Sequence, residues 1–256
     1  MNKYLTYAVL IMSMCLFTAC PSDDDETDDY SGSKINDSFV GFWKINGVKK
    51  STQKKGTDVY FAFLKEGKMK ISTGEHNSSP YSKEDYSKWF EWSYDDKTKL
   101  LVTTASVNDI SFQWEVTLIG STQWAGIGLW EAESASTVAN PCSEYEILLT
   151  MLLTGQKWVK EDDSSKKIRT NYDYGFDIRD YKDEYKRIFP ATYNIGIWEK
   201  IVYNKERDSI SRNYSNRDPS YTITISLLHP FSQKDMRLII YNSHDSENSG
   251  SYKLIY

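Results

Sequence analysis

The clearest pattern along the chain is a strict alternation of apolar and polar residues. In residues 110–118 five apolar side chains alternate with four polar ones, and residues 221–227 alternate in the same way. A period of two places one face of a β-strand in a core and the other face in water. Similar short runs recur from Phe39 onward, and turn-like sequences such as residues 65–68 separate them. The pattern therefore predicts a protein built mostly of β-strands.

Three segments depart from this alternation and predict helices. Residues 141–155 are apolar almost all the way round, and Ser143 and Glu146 have the spacing of a capping box. Such a helix needs partners on more than one side, so we expect it between domains or over the end of a barrel. Residues 177–189 show helical spacing, and residues 82–90 predict a third, short helix.

The predicted elements occur in the same order in two halves of the chain. A tryptophan strand opens each half, at Trp43 and at Trp158, and an alternating strand lies near the end of each. A repeat of about 110 residues is far longer than a solenoid repeat, so the order favours duplicated domains. We predict a first domain at residues 36–140, with a linker in the small and polar residues 131–140. A helix and a second domain follow at residues 141–256.

The start of each half carries a short glycine and tryptophan motif. Gly41 precedes Trp43 by two residues, and Gly155 precedes Trp158 by three. A Gly-x-Trp or Gly-x-x-Trp motif opening a meander of about eight strands resembles the lipocalin-like (calycin) family, nearest to the small domains of Bacteroidetes lipoproteins. The resemblance covers most of residues 39–256. It implies an all-β chain with a few short helices and two small antiparallel β-barrel or sandwich domains in tandem. In these domains Trp43 and Trp158 would close the barrel floor, and the ligands would be small and apolar.

The first residues of the chain have the character of an export signal. Residues 1–19 combine a basic start, a mostly apolar run and small residues before Cys20, as a secretory signal peptide does. The run is too short for a transmembrane helix, which needs about 20 apolar residues. Phe17-Thr18-Ala19-Cys20 resembles the bacterial lipobox, although Phe17 stands where Leu is usual. The resemblance implies cleavage after Ala19 and a membrane anchor through lipid on Cys20.

Acidic residues follow this cysteine at once. Residues 20–35 are too polar to pack into a core, so we predict a flexible tether there. The stretch also resembles the surface-export signal of Bacteroidetes lipoproteins, a serine followed by acidic residues. The residues that carry this resemblance are Ser22, Asp23, Asp24, Asp25 and Glu26. It implies an outer-membrane lipoprotein that faces the cell exterior.

Charge and cysteine content narrow the classes of partner. The chain holds 36 acidic and 31 basic residues, a net charge of −5, which argues against a general nucleic-acid surface. Of three cysteines, Cys15 leaves with the signal peptide and Cys20 carries lipid. Cys142 is then alone, so we predict no intrachain disulfide and a buried structural thiol.

No motif along the chain predicts catalysis. His76, His229 and His244 do not have metal-ligand spacing, and nucleophile-elbow, His-Glu-x-x-His and phosphate-loop motifs are missing. We therefore predict no enzyme activity, no metal and no cofactor. Tryptophan rings stack on sugars, but they also fill cores, so no binding residue can be chosen among the candidates Trp89, Trp92, Trp124, Trp130 and Trp198.

These observations favour a non-enzymatic binding protein for a glycan, a lipid or a small apolar ligand. The alternative is a structural or adhesive accessory protein that contacts other proteins of the cell envelope. A glycan hydrolase is less favoured, because the acidic pairs lie in turn-like polar runs. An open cavity would favour the first function, a filled barrel the second, and a cleft with two facing carboxylates the third.

Overall fold

The computed structural model describes a large part of the chain after residue 35. The described residues are 36–48, 57–73, 88–107, 110–120, 122–128, 135–171, 177–182, 196–216, 222–243 and 245–256. The predicted signal peptide, lipid-bearing Cys20 and acidic tether lie outside them. So do His76, His244, Trp130 and most of the predicted helix at residues 82–90.

The first half of the chain folds into a closed antiparallel barrel of eight strands. Each strand pairs with the next along the chain, and the last pairs with the first. A 3-10 helix, Asp37–Phe39, precedes the barrel. The strands are β1 (Gly41–Val48), β2 (Thr57–Phe63), β3 (Lys68–Thr73), β4 (Phe90–Asp95), β5 (Leu100–Val107), β6 (Ile110–Ile119), β7 (Trp124–Gly128) and β8 (Ala135–Pro141).

The second half forms an antiparallel sheet of nine strands that curves into a half-barrel. Its order is β11-β10-β9-β17-β16-β15-β14-β12, and β13 also pairs with β14. The strands are β9 (Gln156–Lys160), β10 (Lys167–Asn171), β11 (Asp177–Asp180), β12 (Gly196–Trp198), β13 (Val202–Asn204), β14 (Ser209–Asn216), β15 (Thr222–Leu228), β16 (Arg237–Asn242) and β17 (Gly250–Leu254). Within the described residues, an α-helix, α1 (Tyr145–Leu153), connects the two halves.

Both halves bring their first and last strands together. Trp43 on β1 lies opposite Pro141 on β8, and Trp158 on β9 lies opposite Leu254 on β17. Both tryptophans are buried, and each indole N–H has an acceptor. Trp43 donates to the Phe39 carbonyl at 2.7 Å, and Trp158 donates to the Thr170 hydroxyl at 2.8 Å. Their role in closing a barrel floor stays a prediction.

Aromatic side chains fill the interior of the barrel. The rings of Phe61 and Trp114 lie 5.5 Å apart, and those of Trp114 and Trp124 lie 5.2 Å apart. The rings of Phe39 and Tyr94 lie 4.8 Å apart. All five side chains are at most 2 % exposed. The described side chains thus form a packed core in the barrel.

A second core lies between the barrel and the other sheet, around α1. Six residues of this helix are buried, namely Ile147, Leu148, Leu149, Met151, Leu152 and Leu153. The same core contains Phe42, Tyr60, Ala62 and Leu64 from the outer face of the barrel. It also contains the inner face of the second sheet. The prediction of an apolar helix between the two β units is confirmed.

Four details of the sequence-based assignment are wrong. Residues 135–140 are not a linker, because they form most of β8 and pair with both β7 and β1. Residues 177–180 are not helical but form β11, whose backbone pairs with β10. The apolar residues Ile195, Ile197 and Ile201 predict a single strand at residues 193–203, but the structure has two separate strands there, β12 and β13. The expected capping box is missing, since Glu144 is the N-cap residue and makes no side-chain cap bond.

The predicted fold class is confirmed at the level of architecture. The chain is mostly β, and it contains two antiparallel β units in tandem, one of them a closed barrel. Residues Ser33–Tyr256 form one compact unit. The lipocalin-like resemblance and the independent folding of the two halves stay predictions.

Candidate functional site

The junction between the barrel and the second sheet carries an open groove of about 870 Å³. The barrel contributes Tyr60, and the start of α1 and the edge of the second sheet contribute the rest. We call it the tyrosine groove. Its lining residues are Tyr60, Ser143, Glu144, Tyr145, Glu146, Ile147, Lys200, Ile201, Val202, Tyr203 and Arg212.

Glu144 ties the barrel to the start of α1 at one side of this groove. One of its carboxylate oxygens accepts a hydrogen bond from Lys44 at 2.9 Å, and the other accepts from the Tyr60 hydroxyl at 3.0 Å. Lys44 also pairs with Asp58 at 3.1 Å. The hydrogen bond from Lys44 to Glu144 is the main cause that raises the pKa of this lysine, which therefore stays charged at neutral pH.

Arg212 and Glu146 form a second ion pair in the groove. Both carboxylate oxygens of Glu146 accept from Nη1 of Arg212, at 2.7 and 2.8 Å. The guanidinium Nε donates to the Glu199 carbonyl at 3.0 Å, which fixes the side chain from another direction. The Arg212 side chain is 16 % exposed, so it is mostly enclosed by these partners. Fixed polar groups of this kind favour a defined orientation of a bound ligand.

Two stacked tyrosine rings supply the apolar surface of the groove. The rings of Tyr145 and Tyr203 lie 5.2 Å apart with an angle of 28° between their planes. Tyr203 lies on β13, directly after the interruption of the edge strand. Ile201, directly before β13, and Val202, at its start, also line the groove. Val202 is 57 % exposed, so its side chain adds apolar surface that a ligand can reach.

The tyrosines of the groove are neutral hydroxyl groups at physiological pH. Burial raises the pKa of Tyr60 and the pKa of Tyr145. Burial, reinforced by the negative charge of Asp208, also raises the pKa of Tyr203. A neutral phenol both donates and accepts hydrogen bonds. The groove thus combines ring faces, hydroxyl groups and held charges.

The candidate residues from the sequence lie elsewhere for the most part. Trp92 and Trp124 are buried in the barrel core, and Trp89 lies at the junction, outside the tyrosine groove. Trp198 belongs to β12, but its side chain is outside the described residues. His229 is at the surface, where Nδ1 lies 3.2 Å from a carboxylate oxygen of Asp208.

Cys142 lies between β8 and α1 and is half-buried. Its sulfur accepts a hydrogen bond from the Glu144 backbone N–H at 3.4 Å. Burial is the main cause that raises the pKa of this thiol, so the reactive thiolate is disfavoured. Cys142 is free of disulfide bonds in the described residues.

The described segments of the chain also bear on metal binding and on membrane insertion. Within these segments, no group of three or more His, Cys, Asp or Glu side chains could hold a metal ion. None of the helices in the described part of the chain has the length and apolar character needed to cross a membrane.

Sequence reasoning did not single out the residues of the tyrosine groove. Tyr145, Tyr203 and Arg212 come from α1, β13 and β14, and no short motif contains them. Comparison with models of protein families, with characterised proteins and with solved structures gives no significant match. The fold therefore defines a class, a tandem β protein with one closed barrel, and the function has to be inferred from the groove.

Proposed function

We propose that this chain is a surface-displayed lipoprotein that binds a glycan in the tyrosine groove. The observation that carries the proposal is the stacked pair Tyr145 and Tyr203 beside the fixed Arg212–Glu146 ion pair. Sugars present apolar C–H faces, which pack on aromatic rings, and hydroxyl groups, which bind charged and polar side chains. An open groove with both kinds of surface suits an oligosaccharide.

The packing of the barrel favours a glycan over the other ligands considered. A lipid or small apolar ligand would need space inside the barrel, where Phe61, Trp114 and Trp124 are in ring contact. In the tyrosine groove, a lipid tail would lie beside the charged side chains of Glu144, Glu146, Lys200 and Arg212, which line it together with the apolar ones. Binding at the surface groove therefore fits the described side chains best.

The proposed activity is binding and not hydrolysis. Glu144 and Glu146 line one groove, and paired carboxylates are the groups that cleave glycosidic bonds. Both are already engaged, Glu144 by Lys44 and Tyr60, and Glu146 by Arg212 through both oxygens. Glycans incubated with the protein should therefore give no shorter products. Formation of shorter products would instead support a glycan hydrolase.

A glycan array tests the binding proposal directly. The purified full-length chain should bind a subset of glycans, and Tyr203→Ala should weaken that binding by about three- to tenfold, the loss expected for one aromatic contact. Tyr203→Phe should keep most of the affinity, because it retains the ring. Tyr241→Ala is the matched control, since Tyr241 is 56 % exposed and lies on β16, outside the groove. Equal binding by Tyr203→Ala and the wild type would refute the site.

We propose that lipid on Cys20 anchors the protein and that the acidic residues behind it direct it to the outer face of the outer membrane. Two or three acyl chains hold a protein firmly, whereas one chain binds only marginally. Cys20→Ser should move the protein into the soluble fraction. Replacing Asp23, Asp24, Asp25 and Glu26 with Ala should keep the anchor but remove protease accessibility on intact cells. A membrane-bound Cys20→Ser variant, or unchanged surface labelling, would contradict the respective step.

A structural or adhesive role in the cell envelope is the second candidate function. The filled barrel favours it, because a barrel without an internal ligand acts as a rigid scaffold. In this case crosslinking on intact cells should capture the same envelope protein with the wild type and with Tyr203→Ala. Glycan binding that depends on Tyr203 would instead favour the first function.

A further inference from the structure

A second open groove, of about 680 Å³, lies on another part of the junction between the barrel and the second sheet. The barrel half contributes Glu66, Lys68 and Trp89 to it, and the rest comes from the second half of the chain. We call it the lysine groove. The residues that matter here are Lys68, Trp89, Gln156, Lys157, Lys234 and Tyr256.

Positive charge distinguishes this groove from the rest of a net acidic chain. Three lysines line it, and Lys68 forms an ion pair with Glu91 at 2.6 Å. For Lys157 and Lys234, the described residues provide no ion pair with a carboxylate. Lys157 instead lies over the ring of Tyr181, with its nitrogen 5.5 Å from the ring centre. Two lysines of the groove are therefore available to an acidic ligand.

The carboxylate of Glu66 also lines the groove, but a loop of the second half holds it. It accepts hydrogen bonds from the Ser232 hydroxyl at 2.6 Å and from the backbone N–H groups of Gln233 and Lys234, at 2.8 and 3.2 Å. These hydrogen bonds hold the carboxylate toward the loop, while its negative charge remains. Glu66 thus does not occupy the ammonium group of Lys157 or Lys234.

Trp89 provides a fixed aromatic surface beside these lysines. Its indole N–H donates to the side-chain oxygen of Gln156 at 3.1 Å. The amine of Lys70, which is 2 % exposed, lies 4.3 Å from the ring centre and packs against the indole. Because two partners hold the ring, little side-chain entropy is lost when a ligand stacks on it.

We propose that the lysine groove binds an acidic sugar, with the sugar ring on Trp89 and its carboxylate on Lys157 and Lys234. The proposal rests on the proposed function in that the ligand is a glycan, but it concerns a different site and different residues. Ring stacking and a charge-assisted hydrogen bond together select for a cyclic anion over a neutral sugar or a free anion.

Calorimetric titration of the full-length chain tests this site with three probes. The probes are an oligomer of galacturonic acid, the same oligomer with its carboxyl groups reduced to alcohols, and inorganic phosphate. We expect binding of the acidic oligomer, at least tenfold weaker binding of the reduced oligomer, and no saturable binding of phosphate. The double variant Lys157→Gln with Lys234→Gln should weaken the acidic oligomer on the order of tenfold.

The controls separate this site from the tyrosine groove. Lys97→Gln removes an exposed lysine in the turn between β4 and β5 and should change nothing. Tyr203→Ala should leave binding of the acidic oligomer intact. A negative result for the tyrosine groove therefore leaves the lysine groove to be tested separately, and the reverse also holds. Trp89→Phe, which keeps a ring, should retain more affinity than Trp89→Ala. Equal affinity for both oligomers, equal affinity for phosphate, or an unaffected lysine double variant would each overturn the proposal.

Discussion

Replacing Leu148 with Ala measures how tightly α1 couples the two β units. Leu148 is fully buried, and α1 contacts β3 of the barrel and β10 of the second sheet. The change removes three carbon atoms, worth about 2.4 kcal/mol at roughly 0.8 kcal/mol per buried carbon. The cavity that remains adds to this, and buried Leu→Ala changes cost about 3–5 kcal/mol in well-packed cores. We therefore expect the free energy of unfolding to fall by about 3–4 kcal/mol.

Urea unfolding of a chain labelled with fluorotryptophan gives the readout. The ¹⁹F signal of Trp114 reports on the barrel core, and that of Trp158 reports on the second core. Because Phe42 and Tyr60 of the barrel belong to the same core as α1, we expect both signals to shift together in Leu148→Ala. The matched control is Leu118→Ala, whose side chain is 49 % exposed, and it should change stability by less than about 0.5 kcal/mol.

Two results would refute this reasoning in different ways. A loss below about 1 kcal/mol would show that α1 is not packed as described. A shift of the Trp158 signal alone, with Trp114 unchanged, would show that the barrel unfolds independently. That second result would support the two separately folding domains that the repeated sequence order predicts.

Three further substitutions test the junction and the second core. Burial lowers the pKa of Lys70 in the folded chain. At pH values between that lowered pKa and about 10.4, the usual pKa of a lysine, the unfolded chain binds more protons than the folded chain, so stability rises with pH. Lys70→Met removes the cost of burying the amine. It should raise the melting temperature at neutral pH and flatten the rise in stability at alkaline pH. A lower melting temperature at neutral pH would contradict the reasoning. Thr170→Val leaves the buried Trp158 N–H without its acceptor and should cost about 1–3 kcal/mol in chemical denaturation, with Thr170→Ser close to wild type. Glu66→Ala removes an acceptor shared by the Ser232 hydroxyl and the backbone N–H groups of Gln233 and Lys234, while Ser232 keeps Asp235 as a second acceptor. It should cost about 1 kcal/mol, because these contacts are partly exposed; a change within experimental error would argue against them.

Local periodicity predicted the strands that have one face in a core and one in water. The alternation of residues 110–118 matches β6, and that of residues 221–227 matches most of β15. On β15 the buried residues Ile223, Ile225 and Leu227 alternate with partly exposed ones. The repeat of this order in both halves was enough to predict two antiparallel units. The alternation itself is contained within a few consecutive residues, and the repeat is a comparison of such local patterns.

The linker prediction was wrong because small residues have a packing role in β8. Ala139 lies opposite Trp124 on one side and opposite Ile45 on the other. Ala139 is fully buried in the same core as Trp124, so this small side chain is packed in the barrel and not solvated as in a linker. A run of small and polar residues resembles a linker unless the neighbouring strands are known.

The residues of the candidate site could not be predicted for a related reason. Tyr145 and Tyr203 are separated by more than fifty positions in the sequence, and they stack only because α1 packs against the edge of the second sheet. The same holds for Arg212 and Glu146, whose ion pair joins β14 to α1. Local patterns carry no information about such long-range pairs.

One sequence feature does indicate where ligands can and cannot bind. Residues 59–64 form a continuous apolar run that covers most of β2 and the residue after it, and all six are buried. A strand whose two faces are both apolar needs cover on both sides, inside the barrel and outside it. The outer cover is α1, so this face of the barrel is already occupied. Polar and charged side chains return at the margins of the covered face, at Lys44 and at Glu66, and the two grooves lie along these margins. The apolar run in β2 therefore accounts both for the tight junction and for the position of the binding sites proposed at its edges.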